Sequence, residues 1–221
     1  NKTNKHDVTP FYISCYYGHI EIVKLLLNDE RIDFNKGDND NNTPFSIACQ
    51  QGRIEIVKLL LNDKRVDTNG FTPFLMACML GKIEDVKLLL NDERIEINQV
   101  LNHGQTPFYI ACQFGHIDIV KLLLNDERID INKSNKNDQT PFYIACENGY
   151  FEIVKLLLNG ERMVDINKPN KYSKTSLFVA CQFGHIEIVK LLLNDERIDI
   201  NKPNKDDQTP FYIACENGHI E

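Results

Sequence analysis

Cysteine and histidine are the residues of this 221-residue chain with the widest chemical reach. In the right geometry they ligate metals, form disulfides or act as nucleophile and base. Their spacing argues against each role. Cys15, Cys49, Cys78, Cys112, Cys146, Cys181 and Cys215 never form a Cys-x-x-Cys pair, and each closes the same short phrase. Helices carrying that slot in successive units pack about 8–10 Å apart, beyond disulfide reach, so the thiols are expected as small buried packing residues. His19, His116, His185 and His219 each follow a glycine, but the same slot holds Arg53, Lys82 and Tyr150 elsewhere, which suits a helix boundary better than a general base. Gly37-Asp38-Asn39-Asp40-Asn41-Asn42 has the alternating oxygens of a calcium loop. It puts Thr43 where that loop needs its glycine and Cys49 where it needs its glutamate, so a hairpin turn is the expectation. No Ser/His/Asp arrangement or phosphate loop occurs. The chain reads as non-catalytic, with no catalytic residue, no cofactor and no metal.

The cysteine phrase is one part of a repeat. Thr-Pro-Phe or a close variant recurs at Thr9, Thr43, Thr72, Thr106, Thr140, Thr175 and Thr209, in steps of 34, 29, 34, 34, 35 and 34 residues. A period in this range means stacked supersecondary units. In the copy beginning at Thr140, the threonine is a good N-cap, Pro141 suits the first helical position and Gly149 can stop the helix. A short inner helix is therefore expected from Pro141 to about Asn148, with Phe142, Ile144, Ala145 and Cys146 on its packed side. A second, outer helix follows, with Phe151, Val154, Leu157 and Leu158 inward and Glu152 and Lys155 in water. The acid–lysine pairs at Glu21/Lys24, Glu55/Lys58, Asp118/Lys121 and Glu187/Lys190 support its exposed face by a few tenths of a kcal/mol. Polar stretches such as Asn132–Asp138 are expected as hairpin-like loops reaching the next unit. Helices this short are marginal in water, so stacking is obligatory.

Thr-Pro-Phe-x-x-Ala-Cys, then Gly-His-Ile-Glu-Ile-Val-Lys-Leu-Leu-Leu, then Ile-Asp-Ile-Asn, resembles the ankyrin repeat. The resemblance covers the whole chain and implies an all-α repeat solenoid of stacked helix-turn-helix units joined by hairpin-like loops. The units are 1–34, 35–68, 69–97, 98–131, 132–166, 167–200 and a partial 201–221, read as one continuous array. Where the family has a histidine after Thr-Pro-Leu, this chain has Tyr12, Ser46, Leu75, Tyr109, Tyr143, Phe178 and Tyr212. The family's hairpin glycine survives as Gly70 and Gly104; Asp7, Asn41, Asp138, Ser173 and Asp207 replace it elsewhere, and Asp and Asn tolerate positive φ. An extra residue in the Asn-Asp-Glu-Arg-Ile-Asp segment implies a longer turn on one rim.

The formal net charge of −7 excludes an array built to grip phosphate backbones, so no nucleic-acid partner is expected. No stretch approaches the ~18 apolar residues of a membrane span, and no secretory leader is apparent. Both ends cut the repeat pattern, so a fragment of a longer protein is expected. Seven unpaired thiols fit a reducing compartment, the cytoplasm or the nucleus; the sequons at Asn1, Asn41 and Asn132 are discounted for the same reason.

The resemblance further implies a concave groove of inner helices and hairpins that binds a protein partner, the array itself being monomeric. Framework residues repeat, so the informative positions are those where copies disagree. Before the inner-helix glycine stand Tyr16-Tyr17, Gln50-Gln51, Met79-Leu80, Gln113-Phe114, Glu147-Asn148, Gln182-Phe183 and Glu216-Asn217. The third unit lacks five residues before its Thr-Pro, and the fourth hairpin carries Val100-Leu101 where others are polar. Phe71, Met79, Leu80, Val100, Leu101 and Phe114, edged by His103, form a candidate apolar hot spot, with Tyr16, Tyr17 and Phe183 as further contact candidates. The opposing expectation is that the apolar hairpin fills space left by the deletion. A regulatory or targeting array of a larger protein, enzyme included, and a mechanical spacer are the alternative functions.

Overall fold

Threonine caps, and usually proline begins, the inner helices of the protein, and glycine follows them, as a computed structural model describing residues 2–4, 7–67, 73–101 and 103–219 shows. Among the described residues there are thirteen α-helices and no strand. They fall into two compact units, residues 1–99 and 100–221. In the first, inner helices α1 (Pro10–Tyr17), α3 (Pro44–Gln50) and α5 (Pro73–Met79) alternate with outer helices α2 (Ile20–Leu27), α4 (Ile54–Leu61) and α6 (Ile83–Leu90). In the second, the inner helices are α7 (Pro107–Gln113), α9 (Pro141–Glu147), α11 (Ser176–Gln182) and α13 (Pro210–Glu216). The outer ones there are α8 (Ile117–Leu124), α10 (Phe151–Asn159) and α12 (Ile186–Leu193). Within each unit, inner helices pack on successive inner helices, outer on outer, and each outer helix on the inner one before it.

The local causes are the ones the sequence implies. The hydroxyls of Thr9, Thr43, Thr106, Thr140, Thr175 and Thr209 accept the backbone N–H three residues on at 3.0–3.2 Å, each cap contributing about 1 kcal/mol. Gly149 ends α9 at φ +76°, which lets the Tyr150 N–H reach back to the Ala145 carbonyl at 3.0 Å.

Two expectations need correction. The inner helix is enclosed on nearly all sides: Pro141 through Cys146 are all buried, because α9 is flanked by α7, α10 and α11. In α10 the buried residues are Ile153, Val154, Leu157 and Leu158, while Phe151 at the helix start is half-buried. Ile153 takes the inward place because a neighbouring outer helix covers a second stripe.

Hairpins depend on a residue in the left-handed region. Asp7, Asn41, Asp138, Ser173 and Asp207 have φ of 59–62°, taking the glycine role by the short polar side chains that tolerate it. Three residues earlier in the later hairpins, an Asn or Asp side chain organises the turn; Asn135 Oδ1 accepts from the N–H groups of Asn137 and Gln139 at 2.9 and 3.1 Å.

Polar ties then join residues 26 to 39 positions apart. Tyr12 Oη donates to Asp38 Oδ2 at 2.8 Å, and Tyr109 and Tyr143 Oη accept from Asn135 and Asn170 Nδ2 at 3.0 and 2.9 Å. Tyrosine thus supplies a bond from the slot where the ankyrin pattern has histidine. Asn132 Nδ2 donates to the Met163 carbonyl while its Oδ1 accepts the Asp165 N–H; Asn167 holds residues 197 and 199 in the same way. The lengthened rim turn is clamped by arginine: Arg197 pairs with Asp195 and donates to the Leu158 carbonyl at 3.0 Å, and Arg65 does the same with Asp63 and Leu27.

Candidate functional site

The thiols are packing groups. All seven cysteines are free, and all but Cys215 are buried; burial pushes the Cys15 thiol up to about 12 and Cys181 up to about 11, far from the thiolate needed for nucleophilic or metal chemistry. The histidine slot is structural as well. Its side chain lies across the inner-helix glycine of the preceding repeat, so that a Cβ at Gly149 would stand 2.7 Å from His185 Cε1. His185 Nε2 sits 2.9 Å from the Glu147 carbonyl, and Arg53 and Lys82 donate to the equivalent Tyr16 and Gln50 carbonyls at 3.1 and 2.8 Å. A residue serving this purpose needs a donor at the end of a short flat or flexible arm, which explains why His, Arg and Lys interchange there.

The calcium-like loop is a hairpin. Asp38 Oδ1 accepts from the N–H groups of Asp40 and Asn42, and Oδ2 accepts the Tyr12 hydroxyl, so its carboxylate is committed to the turn. At the Asn132 sequon the amide that a sugar would occupy is bonded to Met163.

Asp85 is the group that sequence reasoning missed. It stands in α6 where α4, α8 and α10 have Ile56, Ile119 and Ile153, is fully buried, and neither carboxylate oxygen has a hydrogen-bond partner. Burial pushes its pKa up to about 6, opposed by the Lys82 charge and helped by Glu84. Aligning the six copies that contain this column by register exposes it, since only this copy puts a charge there.

The residue pairs that end the inner helices divide into two kinds. The first member is tied down: Gln105 Nε2 donates to Gln113 Oε1 at 2.9 Å and Lys174 Nζ to Gln182 Oε1 at 3.0 Å. In the second unit the second member has two states. As asparagine it bridges to the previous repeat, Asn148 Nδ2 to the Gln113 carbonyl at 2.9 Å and Asn217 Nδ2 to the Gln182 carbonyl at 2.8 Å. As an aromatic it faces outward beside the histidine two residues on. Phe114 and Phe183 are 47% and 50% exposed with ring centroids 6.4 and 6.3 Å from His116 and His185. Tyr17, 58% exposed, stacks on His19 at 6.0 Å and meets Tyr16, which is half-buried, edge-on at 4.9 Å.

The remaining candidates divide between the units. In the first, Met79 is half-buried and Leu80 is 46% exposed at the end of α5; Phe71 lies outside the described residues. In the second, Val100 is 44% exposed, Leu101 half-buried and His103 exposed. The Leu101 N–H donates to the Gln105 carbonyl and the Gly104 N–H to the Leu101 carbonyl, so the apolar hairpin keeps its backbone turn without an Asx side chain.

A family model described as ankyrin repeats (3 copies) matches residues 1–70, 62–135, 125–204 and 162–221. No curated protein matches the chain. No helix among the described residues is long and apolar enough to cross a membrane.

Proposed function

The chain belongs to the ankyrin-repeat family, whose arrays generally serve as protein–protein interaction modules, and from that premise we propose that it is a non-catalytic, monomeric module holding a protein partner on the face formed by inner helices and hairpins. The observation that carries this reading is the pair Phe114 and Phe183, large apolar rings about half exposed in a slot that the alternate repeats of the second unit fill with asparagines bonded to the preceding repeat. An array that needed only stability would keep asparagine there, as at Asn148, and gain a bond to the preceding repeat. Exposed aromatics on a rigid surface are the usual anchors of an interface. Leu80 and Met79 in the first unit, and Val100 and Leu101 in the second, extend the apolar surface of each.

Affinity capture from cell extract tests the proposal, with the wild type set against Phe114→Glu/Phe183→Glu and Leu80→Glu/Leu101→Glu, each verified as folded by circular dichroism. A partner retained by the wild type and lost with the phenylalanine variant is the expected result. Equal recovery by all three overturns the assignment of the face.

A further inference from the structure

The lysines of this chain fall into two electrostatic classes. On the outer helices, Lys24, Lys58, Lys87, Lys121 and Lys190 each lie within 2.7–3.9 Å of an acid three residues earlier. On the hairpins of the second unit the pattern is different. Residues 132–139, 167–174 and 201–208 hold seven lysines against three aspartates, in a chain of net charge −7. None of these lysines forms an ion pair among the described residues; Lys168 reaches Ser134 Oγ at 3.4 Å and Lys171 reaches Asn137 Oδ1 on the preceding hairpin, and Lys174 reaches Gln182 Oε1 of its own repeat at 3.0 Å.

The hairpins also hold these charges in register. Lys136, Lys171 and Lys205 occupy the same tip position, and the Lys171 and Lys205 backbone N–H groups donate to the Asn137 and Tyr172 carbonyls of the previous hairpin at 3.0 and 3.2 Å. Each turn is further fixed by its Asn side chain. All three tip lysines are exposed, and Tyr172, 53% exposed, lies beneath the Lys171 ammonium at 5.1 Å.

We propose that this hairpin ridge of the second unit docks an extended acidic polypeptide segment, a run of glutamate or aspartate in the partner. The proposal rests on the reading of the array as a protein-binding module and specifies the chemistry of what it binds. Repeats stacked about 10 Å apart match roughly three residues of extended chain at ~3.3 Å each, so an acid at every third position meets one tip lysine per repeat. Unneutralised charge on an otherwise acidic surface steers such a segment to one place. The net charge of −7 opposes an acidic peptide and a nucleic acid alike, so the attraction is local to the lysine ridge, and a nucleic acid is the competing ligand of the test. Asp138, Asp206 and Asp207 on the tips and Glu147 and Glu216 at the helix ends define where the acidic segment cannot run, which narrows its path to the lysine side of the ridge.

Fluorescence anisotropy with a labelled oligo-glutamate peptide of about nine residues, long enough for three repeats at ~3.3 Å per residue, tests this on the full 221-residue chain. Lys136→Gln/Lys171→Gln/Lys205→Gln is expected to weaken binding by about tenfold or more, and Lys24→Gln/Lys121→Gln/Lys190→Gln, with the same change in net charge, by less than about twofold. Equal weakening by the two triples, no binding of the peptide, or tighter binding of a single-stranded oligonucleotide overturns the proposal. If the peptide fails while a captured protein still depends on Phe114 and Phe183, the ridge assignment falls and the binding face stands; the reverse pattern separates them in the other direction.

Discussion

The third and fifth repeats are built from the same template and end in opposite conditions. In the fifth, Tyr143 reaches Asn170, Asn132 holds the chain at residues 163 and 165, and Ile153 fills the outer-helix interior. In the third, Leu75 is fully buried with no hydroxyl to offer, and Asp85 sits unpartnered where Ile153 would be. The third repeat is also the one whose lead-in is five residues short. Regularity in this fold is therefore maintained by bonds to residues about one period away, and the copy that departs furthest from the period is the copy that carries the unpartnered carboxyl.

The sharpest way to break the regular side of this contrast is at Gly149. Gly149→Ala combines a left-handed φ with a methyl 2.7 Å from His185 and is expected to cost the second unit about 3 kcal/mol. Gly218→Ala has nearly the same φ, +75°, and open space around it, so about 1 kcal/mol is expected. Urea unfolding followed by circular dichroism compares them, and equal costs would remove the glycine–histidine contact from the account.

The irregular side is repaired by Asp85→Ile, expected to stabilise the first unit by on the order of 2–3 kcal/mol at pH 7. The sign of the accompanying pH effect follows from the raised pKa. The folded carboxyl, at about 6, holds its proton more tightly than the unfolded one at 3.8. Its contribution to stability is thus complete below about pH 4 and lost as pH rises through about 6. Carboxylates such as Asp195, held down to about 2 by Arg197 hydrogen bonds against a smaller opposing effect of burial, work in the other direction. The difference between wild type and Asp85→Ile isolates the buried group. Thermal melts at pH 4.5 and 7.5 should show the advantage of the variant shrinking at the lower pH; an unchanged advantage refutes the ionised form as the source of the cost.

Smaller effects sharpen the comparison further. Tyr143→Phe leaves Asn170 Nδ2 without its acceptor and should cost about 1–2 kcal/mol, whereas Phe178→Tyr puts a hydroxyl in the slot from which Tyr143 serves Asn170 and should gain less than about 1 kcal/mol. Denaturant midpoints of the two variants report the sign. Lys190→Ala removes an exposed pair with Glu187 and should stay within about 0.5 kcal/mol; a larger loss would mean that the outer face contributes to stability more than its exposure allows.

Helix starts and stops were legible because they depend on neighbours in sequence: Thr140 caps the residue three ahead, and Gly149 turns the chain it belongs to. The hairpin positions at Asp7, Asn41, Asp138 and Asp207 were legible for the same reason. Burial of Ile153 was not, because the heptad-like reading of one helix cannot tell which two neighbours will cover it. The arginine clamps were equally hidden. Arg197 and the Leu158 carbonyl lie 39 residues apart, and nothing in the local pattern distinguishes an arginine that reaches back from one that only pairs with its own aspartate. Among the binding candidates, Phe114 and Phe183 were visible as variable positions, but their outward pose became an argument only once Asn148 and Asn217 were seen to bridge repeats from the same slot.

The asparagine that opens each repeat has one more consequence. Asn132 and Asn167 each grip the same two backbone positions near the end of their own repeat, so excising one whole repeat removes the clamp and its partner together and leaves the other clamps intact. Array length can therefore drift by complete periods at little energetic cost, while a deletion of any other size strands a clamp with nothing to hold.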